Sequence, residues 1–317
     1  MRVVEFSPFD HFRAVAALWD RSLGATYPIS ERALAQRLFG RVTYEPGDVQ
    51  IVEEDGRVIG LGMVEIERRC NDPVAGGYLQ AIAVDPAFQR RGIGRLLLQS
   101  IERRLREAGC LHVGVAGGLS RFWSGVPDDL PAARPFFAAH GYDVTRRVLD
   151  LLVPLDHYEI RHRYEDAMES AGVTAAPAAE ADIAALIEFE SREFPGWCPS
   201  MIAMFHAGDA GNVLMLRRES EIVGTIQTFT PRSRWRGPNV VWDRILGATM
   251  GGYGAVGIAR AWRGRRLGAA MCQAAALHVR ANGGTCCLID WTGLTDFYAK
   301  TGARVWRAFW RGGKALG

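Results

Sequence analysis

Apolar positions in the N-terminal half of the chain follow two periods, one typical of helices and one typical of strands. A spacing of three to four residues in "FRAVAALWDRSLG" and "ERALAQRLFGRV" predicts two helices. The segment "VQIVEEDGRVIGLGMVEI" predicts a β-hairpin that turns at Asp55 and Gly56. A strand, "YLQAIAVDP", precedes a helix that starts at Gly94 and stops at Gly109. A strand, a short helix and a last strand follow, and this order indicates a mixed α/β domain.

The C-terminal half repeats this order of elements. Two helical segments, "EADIAALIEFESREF" and "SMIAMFHAG", precede the hairpin "VLMLRRESEIVGTIQTF", the strand "GYGAVGIA" and the helix "AAMCQAAALHVRANGG". A period of about 170 residues is far too long for a solenoid and indicates two tandem domains of one fold. We predict an N-terminal domain at residues 1–156, a linker at 157–173 and a C-terminal domain at 174–317.

The composition is that of an ordinary globular protein. The chain has 317 residues, of which 48% are hydrophobic and 23% are charged, enough for two cores. A net charge of +3 is too small for a dedicated nucleic-acid binder. The sequence contains neither a signal-peptide pattern nor a run of about 18 apolar residues. We expect a cytoplasmic protein with no nucleic-acid or membrane partner, and leave a homodimer open.

The cysteines and histidines form no metal or redox motif. The six cysteines are scattered without a C-x-x-C pair, and the seven histidines contain no H-E-x-x-H. Cys286 and Cys287 lie in an apolar run that predicts a strand. We expect reduced thiols in the core and no metal site.

A turn with two glycines joins a strand to a helix in the N-terminal half. Its sequence is "QRRGIGR", residues 89–95. N–H groups at a helix start bind anions, and Gly92 and Gly94 let the backbone approach phosphate oxygens closely. The arginines add positive charge. The dinucleotide fingerprint G-x-G-x-x-G is absent, so the turn alone also fits a plain helix start with solvated arginines.

The strand, the turn and a later helix together resemble the acyl-CoA motif of the GNAT superfamily of N-acetyltransferases. The N-terminal half contains "AIAVDPAFQRRGIGRLLL" and then "ARPFFAAHGY", and the C-terminal half contains "VGIARAWRGRRLGAA" and then "DFYAKTGA". The resemblance covers most of the chain. It implies, in each half, a splayed and mostly antiparallel sheet flanked by helices, which binds acetyl-CoA between two diverging strands.

The resemblance assigns the acetyl-CoA contacts of each half to one strand, which holds the pantetheine, and to the turn, which holds the pyrophosphate. In the N-terminal half these residues are Ile82, Ala83, Val84, Gln89, Arg90, Arg91, Gly92, Ile93, Gly94 and Arg95. In the C-terminal half they are Val256, Gly257, Ile258, Arg263, Gly264, Arg265, Arg266, Leu267, Gly268 and Ala269. Arg266 stands where the first turn has Gly92. We expect Arg266 to keep an ordinary non-glycine backbone, which weakens the predicted binding there.

The acid and base residues favour the C-terminal half as the catalytic one. In GNAT enzymes a tyrosine on the last short helix commonly protonates the departing thiolate, and the resemblance gives this role to Tyr298. The N-terminal half has Phe137 there, which has no proton to donate. Asp290 ends the preceding strand and would take the amine proton, directly or through one water, while a backbone N–H near Val256 steadies the oxyanion. Two alternatives stay open: Tyr298 could be an aromatic residue of the core, and Asp290 could be a turn or helix-cap residue. We expect Asp296 to face solvent.

Three residues are candidates for the acceptor site. Trp291 follows Asp290, and Trp123 lies beside Phe122 in an N-terminal loop, so both offer flat apolar faces to a sugar ring. Packing in an interface between the two halves is an equal alternative for these aromatics. Asp150 interrupts the apolar strand "RVLDLLV", where it would meet a substrate amine or hydroxyl, or else occupy a solvated position.

The blocks "IDWTGLTDFYAKTGARVW" and "LSRFWSGVPDDLPAARPFF" are more similar to glucosaminide N-acetyltransferases than to mycothiol synthases. This resemblance implies an acetyl-CoA-dependent enzyme that acetylates the primary amine of a small molecule, with glucosamine or a glucosaminide as the first expectation. A mycothiol-synthase-like or other small-amine or peptide acetyltransferase is one alternative. A non-catalytic acetyl-CoA-sensing protein, in which only the N-terminal half binds the cofactor, is the other.

Overall fold

The chain folds into two compact units, as a computed structural model that describes residues 1–41, 44–67 and 76–317 shows. Unit 1 comprises Met1–Val148, Val241–Ile245 and Arg307–Gly317, and unit 2 comprises Leu149–Val240 and Leu246–Trp306. Each unit therefore contains most of one half of the chain together with a piece from the other half.

The described residues form strands and helices in an alternating order. The strands are β1 (Arg2–Glu5), β2 (Val49–Glu54), β3 (Arg57–Glu67), β4 (Gly76–Val84), β5 (His112–Val115), β6 (Val126–Pro127), β7 (Asp143–Pro154), β8 (Thr174–Pro177), β9 (Val213–Arg218), β10 (Glu221–Phe229), β11 (Met250–Ile258), β12 (Cys286–Thr292) and β13 (Arg304–Ala315). The helices are α1 (Pro8–Ser22), α2 (Glu31–Leu38), α3 (Ile93–Glu107), α4 (Ala133–Ala139), α5 (His162–Ser170), α6 (Ile183–Glu193), α7 (Cys198–His206), α8 (Asp243–Leu246), α9 (Leu267–Ala281) and α10 (Thr295–Ala299).

The sheet of unit 1 has the order β1-β2-β3-β4-β5-β13. Its pairs are antiparallel except β4 with β5, which are parallel and pair only from Gly77 to Leu79 on β4. Beyond Leu79, β4 runs on to Val84 beside β3 and diverges from β5. The predicted hairpin is confirmed, because Asp55 and Gly56 both have the positive φ that a tight two-residue turn needs.

The sheet of unit 2 has the order β7-β12-β11-β10-β9-β8. Its pairs are antiparallel except β11 with β12, which are parallel and end at the pair Gly252 with Leu288. Past this pair β11 stays with β10 and β12 stays with β7, so a gap opens between them. The predicted fold, with a splayed and mostly antiparallel sheet flanked by helices, is thus observed in both units.

The segment predicted as a linker, residues 157–173, contains helix α5, which packs on helix α9 of unit 2. Tyr164 clusters with Ala269 and Ala270 at the start of α9. The Arg161 N–H donates to the side-chain oxygen of Gln273 at 2.8 Å. This helix therefore lies against the same turn that the sequence marks for a phosphate.

The cysteines are placed as predicted with one exception. Cys286 and Cys287 are buried on β12, as are Cys110 and Cys272 in their own elements, whereas Cys198 is half-buried. Cys70 lies outside the described residues. In the ranges that the structure describes, no cluster of three or more His, Cys, Asp or Glu side chains is arranged to hold a metal, and no helix is long and apolar enough to cross a membrane.

Candidate active site

The two turns that precede α3 and α9 share one backbone shape, although glycine and arginine change places between them. In unit 1, Arg90 has φ 62° and Gly92 has φ 83°. In unit 2, Gly264 has φ 82° and Arg266 has φ 64°. The expected ordinary backbone at Arg266 is therefore wrong. The residue that caps the helix is left-handed in both turns, whether it is glycine or arginine.

A long polar side chain ties each turn to the end of the preceding strand. In unit 1 the Gln89 amide donates to the carbonyl of Val84 at 3.2 Å. In unit 2 Nε of Arg263 donates to the carbonyl of Ile258 at 2.9 Å. Because this bond uses Nε, the rest of the Arg263 guanidinium remains beside the turn, where it adds positive charge.

A glycine in the first turn of each helix makes room for an aromatic ring of the last short helix. A methyl group at Gly94 would lie 3.1 Å from the ring of Phe136, and one at Gly268 would lie 3.3 Å from the ring of Phe297. Both distances are tighter than ordinary contacts of this kind. The glycine of the motif is therefore required by packing as well as by the approach of a phosphate.

A cavity of about 700 Å³ lies at the turn of unit 2. The predicted residues that line it are Val256, Ile258, Arg263, Gly264, Arg266, Leu267, Gly268, Ala269 and Tyr298. Two of the cofactor residues predicted in the C-terminal half, Gly257 and Arg265, are absent from its walls. Gly257 approaches the ring of Phe194 closely, and the guanidinium of Arg265 lies over the ring of Trp262 at 4.8 Å.

Further cavity residues were not predicted from the sequence. Phe194 and Trp197 stack at 4.9 Å between ring centres and form an apolar wall. Arg163 and Tyr164 come from α5, and Lys300 follows α10. The Tyr164 hydroxyl donates to the carbonyl of Lys300 at 3.1 Å, which joins these two segments. The spacing of the apolar residues in α5 could have predicted this helix, but most of its residues are polar, as in a linker.

The cavity fits an acyl-CoA in its chemistry. The lining includes Arg163, Arg263 and Arg266 together with the start of α9, where helix N–H groups also favour an anion. The lining also includes apolar residues, among them Val256 and Phe194. Positive charge beside an apolar channel suits a pyrophosphate joined to a pantetheine arm.

Tyr298 lies on α10 and belongs both to the core of unit 2 and to the cavity wall. Only 9% of the residue is exposed. Burial raises the pKa of its hydroxyl above the ordinary value, and the nearby Cys272 and Asp290 raise it further. The hydroxyl therefore stays protonated at neutral pH and suits a proton donor rather than a base. Tyr298 also fits the alternative interpretation as a core aromatic, because its ring packs in the core of unit 2 while the residue lines the cavity.

Strand β11 has a bulge beside the cavity. Thr225 pairs with Gly257 and Gln227 pairs with Gly254, so β11 contains one residue more than β10 over this stretch. Ala255 has φ 50°, and both Ala255 and Val256 are half-buried. A bulged residue is left out of the ladder. The prediction for Val256 requires a backbone N–H in this stretch that lies outside the ladder, and it stays a prediction.

Asp290 and Trp291 lie at the place where β12 leaves β11. Oδ1 of Asp290 is 3.9 Å from the position that a Cβ on Gly254 would occupy, so its carboxylate faces β11 across the gap. Asp290 and Trp291 are both half-buried, and Asp296 is exposed, as predicted. Asp150 is fully buried, so the solvated alternative for it is wrong. Its predicted contact with a substrate, like that of Trp291, stays a prediction.

The corresponding residues of unit 1 are placed differently. Phe137 is buried on α4 and packs edge-on against Tyr142. Trp123 is buried and stacks on Trp19 at 5.5 Å, with Phe122 also in contact. The predicted cofactor residues Ile82, Ala83 and Val84 lie on β4, and the remaining ones from Gln89 to Arg95 form the turn and the first residues of α3. The role of Trp123 in substrate binding stays a prediction.

Comparisons with known proteins identify the class of this fold. Residues 12–142 match the sequence model of the Acetyltransferase (GNAT) family. A fungal glucosamine N-acetyltransferase region within a multi-domain GH3 β-N-acetylglucosaminidase superposes with a TM-score of 0.91 at 24% identity, over 98% of this chain and 38% of that one. This chain thus spans well under half of that larger protein. No curated protein sequence matches the chain.

Two further solved structures have the fold over nearly the whole length of both chains. A GCN5-related N-acetyltransferase from Sphaerobacter thermophilus is 19% identical, with a TM-score of 0.70 over 99% of this chain and 95% of that one. A tandem GNAT protein from the clavulanic acid biosynthesis pathway is 17% identical, with a TM-score of 0.67 over 100% of this chain and 98% of that one. These likenesses show the fold.

Residues 12–142 are similar to the acetyltransferase (GNAT) family, whose members use acetyl-CoA. The remainder of the chain shares the tandem fold, with the same splayed strands and the same turn in unit 2. The family match supports the predicted class of enzyme, an acetyltransferase, over residues 12–142, and the fold match confirms the predicted fold of two tandem GNAT domains.

Proposed function

We propose that the protein is an acetyl-CoA-dependent N-acetyltransferase whose active site is in unit 2. The observation that carries this proposal is Tyr298, a buried tyrosine in the wall of the cavity at the turn of α9. The equivalent residue of unit 1 is Phe137, which cannot give a proton. A unit that only bound the cofactor would need no such hydroxyl.

Each step of acetyl transfer has a residue of unit 2 that suits it. Acetyl-CoA supplies the acetyl group as a thioester. Asp290 accepts a proton from the acceptor ammonium, directly or through one water, which frees the amine lone pair for attack on the thioester carbonyl. A backbone N–H of the β11 bulge near Val256 donates to the oxygen of that carbonyl as it becomes negative. Tyr298 then gives its proton to the departing sulfur.

The acceptor that we propose first is glucosamine or a glucosaminide. The neighbouring fungal structure carries a glucosamine N-acetyltransferase region, which supports this choice. Trp291 follows Asp290 directly and is half-buried, so its ring would offer an apolar face to a sugar.

Thiol release from acetyl-CoA tests the proposed function. The full chain is incubated with acetyl-CoA and glucosamine, and free CoA is followed with a thiol reagent. We expect Tyr298→Phe to lower turnover about 10²–10⁴-fold, the usual contribution of a general acid, while acetyl-CoA affinity measured by calorimetry stays close to that of the wild type. Phe137→Tyr is the matched control in the equivalent position and should change turnover little.

Three outcomes would contradict parts of this proposal. Near-normal turnover by Tyr298→Phe would remove the acid role of that tyrosine. New activity of Phe137→Tyr in a Tyr298→Phe background would place catalysis in unit 1. Tight acetyl-CoA binding without thiol release for any amine would favour an acetyl-CoA-sensing protein.

A further inference from the structure

Strand β12 contains an extra residue immediately after Asp290. Ile289 pairs with Leu151 and Thr292 pairs with Leu149, so β12 advances three residues while β7 advances two. Trp291 within this bulge has φ 48°, a left-handed conformation that costs a side-chain-bearing residue about 1–2 kcal/mol. An interaction with neighbouring residues must stabilise this conformation of Trp291.

Asp150 on β7 is the group that holds the bulge. Its Oδ1 accepts the backbone N–H of Trp291 at 3.0 Å. Its Oδ2 accepts a hydrogen bond from the side-chain amide of Asn239. Asp150 and Asn239 both have an exposure of 0%. A fully buried carboxylate with both oxygens hydrogen-bonded to unit 2 is suited to fixing backbone rather than to meeting a substrate.

The bulge decides which way Asp290 faces. Asp290 and Trp291 together lie opposite Asp150 in this bulge, and a bulge re-aims the side chains that it contains. On its present side Asp290 faces Gly254 across the gap between β11 and β12. It also lies near enough to Tyr298 that its charge contributes to the raised pKa of that hydroxyl. The bulge thus sets the side of β12 on which the proposed base lies, facing Gly254 on β11.

We infer that Asp150 is a positioning residue for acetyl transfer, which orients Asp290 by holding the Trp291 backbone N–H and which is itself oriented by Asn239. This inference rests on the proposed function of unit 2. It replaces the predicted contact of Asp150 with the substrate by an indirect role, because its carboxylate already serves two partners within the unit.

A reciprocal exchange of the two side chains tests the inference. Asp150→Asn brings two amides face to face or leaves the Trp291 N–H without an acceptor, so one hydrogen bond is lost. The double variant Asp150→Asn with Asn239→Asp restores both bonds: the side-chain oxygen at 150 still accepts the Trp291 N–H, and donor and acceptor are reversed only between positions 150 and 239. We expect kcat to fall about 10–100-fold in the single variant, since a displacement near 1 Å can cost that much. The double variant should recover most of it, with the KM for acetyl-CoA within about twofold throughout.

Asp209→Asn is the matched control. Asp209 is also a buried carboxylate of unit 2 that accepts a tryptophan N–H, from Trp235 at 2.8 Å, and the mechanism gives it no task. It should lower stability without lowering kcat. Thermal unfolding of all variants shows whether each is folded at the assay temperature. In the pH profile of kcat/KM, the inflection that reports the catalytic base should shift only for Asp150→Asn.

The outcomes separate the inference from the proposed function. Wild-type kcat in Asp150→Asn, or a double variant that regains stability but not kcat, overturns the positioning role. Hydrogen exchange at the Trp291 amide should quicken in the single variant and slow again in the double variant, and unchanged exchange also overturns the role. A wild-type chain that acetylates no amine overturns the proposed function instead.

Discussion

At the scale of single residues, the two turns show that the backbone conformation of a motif can stay the same while its amino acids change. Arg90 and Gly92 in one turn exchange with Gly264 and Arg266 in the other, and all four have positive φ. The sequence predicts the turn and the helix that follows it, because strand, glycine and helix periodicity are local signals. It does not predict the conformation at Arg266, since neighbouring turn residues and the helix start impose that φ on whatever side chain is present.

Arg266→Gly should increase the stability of unit 2 while weakening its hold on acetyl-CoA. Glycine removes a left-handed penalty of about 1–2 kcal/mol but loses up to about 1 kcal/mol in unfolded-chain entropy, so we expect a net gain of up to about 1 kcal/mol. Loss of one guanidinium at the cavity should raise the acetyl-CoA dissociation constant about tenfold. Urea unfolding and calorimetry measure the two effects.

Arg90→Gly is the twin of this substitution in unit 1, where the same φ would be relieved. It should give a similar gain in unfolding free energy. A loss of stability in both variants would contradict the strain argument, and an unchanged acetyl-CoA affinity in Arg266→Gly would place that side chain away from the pyrophosphate.

At the scale of elements, contact between α6 and β10 encloses a carboxyl group that no sequence pattern indicates. Glu190 on α6 has an exposure of 0%, and one of its oxygens accepts the Thr225 hydroxyl on β10. Its other oxygen has no hydrogen-bond partner among the described residues. Burial raises the pKa of Glu190 from 4.5 to about 7, although the Thr225 bond acts in the opposite direction.

The stability of unit 2 should therefore fall as pH rises from about 4.5 to about 7. The folded state holds the Glu190 proton more tightly than the unfolded state does, so the stabilisation is complete below the unfolded pKa and is lost through the folded one. The loss for this group is about 3 kcal/mol by the usual conversion of pKa differences. Glu190→Gln, which can still accept from Thr225, should remove this part of the pH dependence in urea unfolding at pH 5 and pH 8.

Glu188→Gln is the control on the same helix, because the Glu188 side chain is 81% exposed. Its unfolding free energy should follow the wild-type pH dependence. If Glu190→Gln follows it as well, the carboxyl is ionised in the folded protein and the burial argument fails.

The elements themselves were predictable to different degrees. The β2–β3 hairpin was evident because Asp55 and Gly56 separate two apolar runs. Helix α5 was hidden in the predicted linker because most of its residues are polar and its few apolar ones, such as Tyr164, pack against α9 only in the folded unit. The bulge that orients Asp290 was equally hidden, since its cause lies on a strand about 140 residues earlier in the chain.

At the scale of the whole molecule, the sequence repeat and the compact units divide the chain in different places. The repeat assigns β13 to the C-terminal half, yet its last residues Gly313–Ala315 pair with β5 in unit 1. Phe309 and Leu316 in this segment are almost completely buried. A sequence repeat shows where the copies of a fold lie, because it compares residues that are near one another in the chain. Strand pairing depends instead on contacts between residues that are far apart in the chain, and the repeat carries no information on those contacts.

Unit 1 should therefore depend on the last eleven residues of the chain, Arg307–Gly317. A chain that ends at Trp306 loses the strand beside β5, the Lys314–Glu102 ion pair at 2.8 Å and the Arg106 bond to the Leu316 carbonyl at 2.7 Å. Limited proteolysis with mass spectrometry should then show cleavage spreading through residues 1–148, which the full chain protects. Protection of these residues in the shortened chain would mean that the N-terminal domain, as predicted at residues 1–156, folds by itself.

A point substitution distinguishes lost packing from the general effect of a shortened chain. Phe309→Ala leaves a cavity at a residue with 0% exposure and should cost unit 1 about 3–5 kcal/mol of unfolding free energy. Val305→Ala on the same strand, at a residue with 55% exposure, should change stability by less than about 0.5 kcal/mol. A comparable loss for both would mean that the strand contributes through its backbone alone. A loss confined to Phe309→Ala would show that a core of the N-terminal fold includes a side chain from the C-terminal end.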